Sequence, residues 1–184
     1  MKHRDLHRRY VVNRGVTLIE TIASVAIAAI IGSIAIPSFV NLHRSAQRTA
    51  VVNDFVHDVF FARSEAIKRN SVVSICRSND GNSCANKAAN WNGGWIVFEN
   101  LDGDQPADID PGEPILARHA GVGGSFTSNR ISFSFRPYNQ GDVNGTLVYC
   151  TATNDLKNAR AIIISHTGRP RTSDKDASGK ALKC

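Results

Sequence analysis

From Thr21 to Val40 the chain carries no charged side chain, and its residues are mostly Ala, Ile and Val. The last charge before this run is Glu20 and the next after it is Arg44. A helix needs about 20 apolar residues to cross a hydrocarbon core, and this run has that length. Ahead of it lies a basic leader with Lys2, Arg4, Arg8, Arg9 and Arg14, ending in Gly15. A secretory signal is cut after its apolar region. Here no Ala-x-Ala-like site follows the run, and the processing point reads as lying before it, after Gly15. The apolar segment is then retained as an N-terminal helix. Basic residues ahead of a span favour a cytoplasmic N-terminus, with the rest of the chain outside.

Cleavage after Gly15 changes the charge argument. The whole chain has a formal charge of +6 and a pI of about 9.4. Residues 1–15 hold five of the bases against Asp5, so the processed chain keeps only about +2. Whole-chain basicity therefore says nothing about nucleic acid. The four cysteines are Cys76, Cys84, Cys150 and Cys184. They form no Cys-x-x-Cys pair and have no His-x-x-x-His partner, which argues against zinc. In an exported domain an even count reads as two disulfides. Three connectivities are open. Cys76–Cys84, closing a short polar loop, with Cys150–Cys184, tethering the last residue, is the favoured one.

Beyond Asn41 the helical pattern becomes amphipathic. Leu42, Val52, Val56, Val59, Phe60 and Ile67, with Ala46, Ala62 and Ala66, recur at three- and four-residue steps. Arg44, Arg48, Asp54, Asp58, Arg63 and Lys68 fill much of the other face, and Arg63 and Glu65 read as solvated. Pro37 is expected to kink or loosen the helix. One long helix from about Val16 to Arg69 is the simplest reading. Strands follow at Val72–Arg77, Gly94–Glu99, Ile115–His119, Arg130–Arg136, Gly145–Thr151 and Arg160–His166, separated by Gly, Asn, Asp and Pro clusters. A helix followed by a run of strands predicts an α+β fold with antiparallel pairing. Four segments result: a leader over 1–15, a membrane or filament-core half-helix over 16–40, an amphipathic half over 41–70, and a β-rich head over 71–184. Trp91 and Trp95 read as core aromatics. The stretch from Glu99 to Glu113 is acidic through Asp102, Asp104, Asp108 and Asp110. It lacks the full twelve-residue pattern of a calcium-binding EF-hand loop, so a solvated loop is expected.

The last segment is basic. From Lys157 onward it carries Lys157, Arg160, Arg169, Arg171, Lys175, Lys180 and Lys183 against Asp174 and Asp176. Within it lies Gly168-Arg169-Pro170-Arg171. Proline disfavours helix at the residue before it, and alternate residues of an extended chain share a side. Arg169 and Arg171 can then meet one anionic track, each offering bidentate bonds to phosphate. Gly168 permits a sharp turn that would lift the pair from the last strand.

Gly15-Val16-Thr17-Leu18-Ile19-Glu20 resembles the prepilin signature of type IV pilins and pseudopilins, with Val16 where that family most often has Phe. The resemblance implies a pilin fold: a long N-terminal helix packed on an antiparallel sheet. It also implies cleavage by a prepilin peptidase between Gly15 and Val16 and N-methylation of Val16. Glu20 would pair with the terminal amine of a neighbouring pilin during filament assembly. An acid in the first turn also suits the helix dipole, but an ionisable group in a membrane helix is functional by default. The junction from Ala62 to Asn70, followed by Ser71 to Cys76, resembles the GspH/FimT subfamily. FimT-type minor pilins carry Gly-Arg-x-Arg near the C-terminus, matched here by Gly168, Arg169 and Arg171. That likeness implies non-specific binding of double-stranded DNA for uptake in natural transformation, with Arg160, Lys175 and Lys180 contributing more weakly. The alternative is a GspH-type pseudopilin of type II secretion with a structural role. The implied location is a single pass in the bacterial inner membrane, head in the periplasm, and then a pilus at the cell surface.

An enzyme is not expected. His43, His57, His119 and His166 are scattered along the chain. No nucleophile elbow, metal-ligand spacing or phosphate loop occurs, and no cofactor is implied. Ser165 and His166 are strand neighbours whose side chains diverge. Intact-mass measurement of the native polypeptide is expected to give a chain that begins at a methylated Val16. A soluble chain beginning beyond residue 40 would overturn the retained-helix reading.

Overall fold

The computed structural model describes residues 15–86, 90–139, 143–151 and 156–184. The leader ahead of Gly15 lies outside them. The chain divides into two compact units at Asn41/Leu42. Helix α1 runs through that boundary, from Leu18 to Arg69, and continues past Pro37. At its start Thr17 caps the first turn: its carbonyl accepts the N–H groups of Glu20 and Thr21, both at 3.1 Å. Its Oγ1 lies 3.4 Å from the Glu20 N–H. Thr17-x-x-Glu20 has the spacing of a capping box, in which a Thr is followed three residues later by Glu.

In the first unit the apolar side chains of α1 are exposed, among them Ile19, Ile22, Ile27, Ile31, Ile34 and Phe39. This part of α1 is long and apolar enough to cross a membrane. Ser24 and Ser33 turn their hydroxyls onto backbone carbonyls of the preceding turn, 2.7 Å in each case. They therefore cost little in an apolar setting, where an unpaired polar group is expensive.

The second unit is a helix face covered by two antiparallel sheets. The first has the order β3-β2-β1-β5, made of β1 (Val72–Arg77), β2 (Gly94–Asn100), β3 (Ile115–Ala120) and β5 (Ser132–Phe135). The second has the order β4-β6-β7-β8, made of β4 (Ser125–Ser128), β6 (Gly145–Cys150), β7 (Arg160–Ile164) and β8 (Pro170–Ser173). Strands β4 and β8 are short and rich in Ser and Thr, and no strand was expected at either place.

One core joins helix and sheets. It holds Val51, Val52, Phe55, Val59, Ala62 and Ala66 from α1, Val73, Ile75, Trp95, Val97, Phe133 and Phe135 from the first sheet, and Phe126, Leu147, Tyr149, Ile162 and Ile164 from the second. Phe55 lies at its middle. Its ring meets Trp91, Trp95, Phe126 and Phe133 edge-on, with centroids 5.3–6.2 Å apart. Aromatic pairs favour this geometry, because the positive edge of one ring meets the negative face of another.

The buried face of α1 departs from the expected one. Phe60 is 52% exposed and Ile67 59% exposed, whereas Phe55 and Val51 are buried. The acids depart further. Asp58 is buried and accepts hydrogen bonds from the Trp95 indole at 2.7 Å and His119 Nε2 at 2.8 Å. His57 Nδ1 lies 3.3 Å from its other oxygen. His119 stacks on Trp95 with rings 4.8 Å apart. Glu65, expected to be solvated, is also buried. Arg69 binds it at 2.7 Å and Lys68 at 3.1 Å, and together they hold its carboxyl below the usual carboxylate range. Arg69 continues to Glu99 at 2.9 Å, which accepts the Ser71 hydroxyl at 2.6 Å, so the end of α1 is tied to β2.

Each sheet also has an outer cluster. Cys76, Ile96, Phe98 and Ala107 form one, beside the Cys76–Cys84 disulfide. Cys150, Ala159, Ala161, Ile163 and Leu182 form the other, beside the Cys150–Cys184 disulfide.

Removing a core Phe costs about 3–5 kcal/mol, while exposed positions move stability by about 0.5 kcal/mol or less. Phe55→Ala is therefore expected to destabilise the head by about 3–5 kcal/mol, and Phe60→Ala by no more than about 0.5 kcal/mol. Denaturant unfolding followed by tryptophan fluorescence measures both.

Candidate nucleic-acid interface

The basic segment is folded onto the second sheet. Strands β7 and β8 are joined by a tight turn from Ser165 to Arg169. The Gly168 N–H donates to the Ser165 carbonyl at 2.8 Å, and the Ser165 N–H donates to the Arg169 carbonyl at 3.0 Å. Gly168 has φ +71°, in the left-handed region. This is the hairpin design in which a turn is closed by a left-handed residue, usually glycine. Gly168 is also packed from outside: a Cβ there would lie 3.3 Å from Phe135 Cδ1 and Val143 Cγ1. Two demands thus converge on glycine, a positive φ and a close approach.

Register decides where the arginines point. Arg171 lies opposite Ile163 and Thr172 opposite Ile162. Ile162 and Ile164 belong to the main core, while Ile163 belongs to the outer cluster. Arg171 therefore takes the outer side of the sheet. Arg169 closes the turn just ahead of β8, where its carbonyl accepts the Ser165 N–H. Both are exposed, and neither guanidinium has a hydrogen-bond or ion-pair partner among the described residues. They stand at the hairpin end and on the edge strand itself, and the turn does not carry them away from the sheet. Proline suits this place, because a first residue on a sheet edge need not donate to the ladder.

The other expected contributors divide. Arg160 lies opposite Tyr149, a main-core residue, so it projects to the helix side. There it lines a 160 Å³ cleft with Arg48, Thr49, Asn53 and Thr172. The sheet separates it from Arg171. Lys175 bridges to Ala181, which folds the tail back. Asp176 accepts the backbone N–H groups of Lys180 and Ser178, both at 2.8 Å. The Lys180 N–H is the main cause of its carboxyl lying below the usual range. A charged carboxylate between Lys175 and Lys180 reduces what the two lysines offer an anion.

At the other end of the chain, Gly15 and Val16 are exposed. The Glu20 side chain is exposed and has no hydrogen-bond or ion-pair partner among the described residues. The acidic stretch is not simply solvated. Glu113 is buried and accepts the N–H groups of Leu101 at 2.6 Å and Asp110 at 3.0 Å. Asp104 accepts from Asn100 Nδ2 at 2.9 Å, and burial pushes its carboxyl upward. These carboxylates act as internal loop anchors. Among the described residues no group of His, Cys, Asp or Glu is placed to hold a metal.

The family model described as type II transport protein GspH matches residues 51–168. A crystal structure of the type IV minor pilin FimU from Pseudomonas aeruginosa resembles this one with a TM-score of 0.50 at 18% identity, covering 68% of this chain and 91% of FimU. A second FimU crystal form has a TM-score of 0.49 at 19% identity, covering 74% of this chain and 93% of that one. No curated protein matches the chain.

A left-handed backbone costs a residue with a Cβ roughly 1–2 kcal/mol. Gly168→Ala is therefore expected to lower head stability by at least about 1–2 kcal/mol, the contacts to Phe135 and Val143 adding to the strain. Thermal unfolding of the two chains compared side by side checks this.

Proposed function

Starting from a chain that belongs to the GspH family and folds as a type IV minor pilin, we propose that it is a filament subunit that binds double-stranded DNA non-specifically. Association with other pilins follows from the family. In this reading prepilin peptidase cuts between Gly15 and Val16, Val16 is methylated, and the apolar half of α1 holds the subunit in the inner membrane before assembly. Glu20 then meets the terminal amine of a neighbour. Its lack of an internal partner supports that role, because its charge is left for another chain.

The observation that carries the DNA reading is the pair of exposed guanidinium groups, Arg169 at the end of the β7–β8 hairpin and Arg171 on its edge strand, with no internal partner among the described residues. Each can give a phosphate two parallel hydrogen bonds. Contacts of this kind position a protein on the duplex and carry no base information. A disulfide from Cys150 to Cys184 and the buried Leu182 hold the chain behind them. Less ordering entropy is then lost on binding than with a loose tail. Filament retraction would draw captured DNA toward the cell for uptake.

The second reading is a structural pseudopilin of type II secretion, which the description of the matching family favours. One assay separates the two. The full mature chain in a neutral detergent is expected to bind duplex DNA weakly, with log affinity falling against log salt at a slope near −3 for about 3 or 4 phosphates. Arg169→Ala/Arg171→Ala is expected to abolish this binding while leaving the circular dichroism spectrum unchanged. Unchanged binding by the folded double variant would eliminate the DNA reading.

A further inference from the structure

Strand β5 has an unusual polar face. Arg130, Ser132, Ser134 and Arg136 occupy alternate positions, with Phe133 and Phe135 between them in the main core. Alternate residues share a side of a strand, so Ser132 and Ser134 do, and Arg130 and Arg136 flank the strand at its two ends. Strand β5 is an edge of its sheet, with β1 on its other side. The four polar residues line a 250 Å³ cleft together with Gln105 and Val143.

The chemistry of the lining is one-sided. Among the described residues it holds two guanidinium groups, two hydroxyls and a carboxamide, and no acid. Several of these groups are already positioned. Arg130 is clamped to Asn144, through Nε to the carbonyl at 2.8 Å and through Nη2 to Oδ1 at 2.7 Å. Gln105 donates to Ser134 Oγ at 2.7 Å, and Ser134 bonds the buried Ser74 hydroxyl at 2.8 Å. Arg136 is held only loosely, with Nη2 3.4 Å from the Gly103 carbonyl. The loop that supplies Gln105 is acidic, but its nearest carboxylates are engaged: Asp102 accepts the Asp104 N–H, and Asp104 accepts from Asn100 and Asp108.

The cleft also adjoins the arginine turn. Val143 lines the cleft, and Val143 and Phe135 are the residues against which Gly168 packs. Phe135 sits between Ser134 and Arg136. The two basic features therefore share a wall.

We infer that the β5 cleft is a second phosphate subsite, in which Arg136, with Arg130, Ser134 and Gln105, takes a backbone phosphate of the same duplex held by Arg169 and Arg171. This rests on the DNA reading above and extends the contact from one hairpin to a track across both sheets. Arg136 supplies the less engaged charge, and the clamped Arg130 supplies a fixed one.

The test measures duplex binding by fluorescence anisotropy over a salt series, using the full mature chain in neutral detergent. Arg136→Gln is expected to weaken binding about 3- to 10-fold at low salt and to make the log–log salt slope shallower by about 0.9, the value for one lost phosphate contact. Gln105→Glu, at an exposed loop position, adds a negative charge to the cleft and is expected to weaken binding at least as much. It keeps the test decisive should Arg136→Gln fold poorly. If Gln105→Glu and any folded Arg136→Gln bind as the parent does while Arg169→Ala/Arg171→Ala loses binding, the cleft is off the DNA path and only this inference falls. If Arg169→Ala/Arg171→Ala also binds as the parent does, the DNA reading falls with it.

Discussion

Two four-stranded sheets that share no ladder are held together through one face of a helix. Phe55 makes the join. Its ring touches Trp91, Trp95 and Phe133 on the side of the first sheet and Phe126 on the side of the second. Around it Val59, Ala62 and Ala66 are fully buried. The two alanines let strands approach the helix closely, and the aromatic rings fill the wider space near Phe55. Everything on the outer faces, including the arginine hairpin, takes its position from this packing. An interior packed this densely transmits the loss of one ring to both sheets.

The charged residues inside the helix face serve the same join. Asp58 would be costly if buried alone, since an unpaired buried charge is strongly disfavoured. It is satisfied by Trp95 and His119, which come from two adjacent strands of the first sheet. Glu65 is satisfied by Arg69 and Lys68 from its own helix, and Arg69 reaches on to Glu99. The helix is therefore located on the sheet by directional bonds at two heights as well as by apolar contact. Apolar contact alone tolerates sliding, whereas a buried carboxylate with fixed donors does not.

The outer faces repeat one device. Each sheet has a disulfide beside its outer cluster, Cys76–Cys84 closing a polar loop on one and Cys150–Cys184 closing the C-terminal tail on the other. A cross-link reduces the conformational freedom of the unfolded chain. Here it also fixes the backbone beside the basic residues. The tail that carries Lys175, Lys180 and Lys183 is therefore part of the sheet's outer layer.

Local pattern was enough for the long helix and for most strands, because periodicity and Gly, Pro and Asn punctuation are properties of neighbouring residues. Val72–Arg77 and the start of β2 at Gly94 were legible in this way, as were the charge-free run that makes the first half of α1 distinctive and the Gly-Arg-Pro-Arg stretch as a basic feature. Strands β4 and β8 were not, since a four-residue stretch such as Ser-Phe-Thr-Ser or Pro-Arg-Thr-Ser becomes a strand only when a longer neighbour supplies the ladder. The exposure of Phe60 and Ile67 and the burial of Asp58 and Glu65 were hidden for a related reason: a helix has a greasy side, but its partner chooses which residues complete that side. Residue order alone specifies a helix with an uncharged stretch in its first half, a β-rich head and two arginines one residue apart. Tertiary packing set Arg171 on the side away from the helix and Arg160 on the side toward it, and brought Phe135 and Val143 against the Gly168 turn. Side in a sheet depends on register, and register is set by strands far apart in the chain.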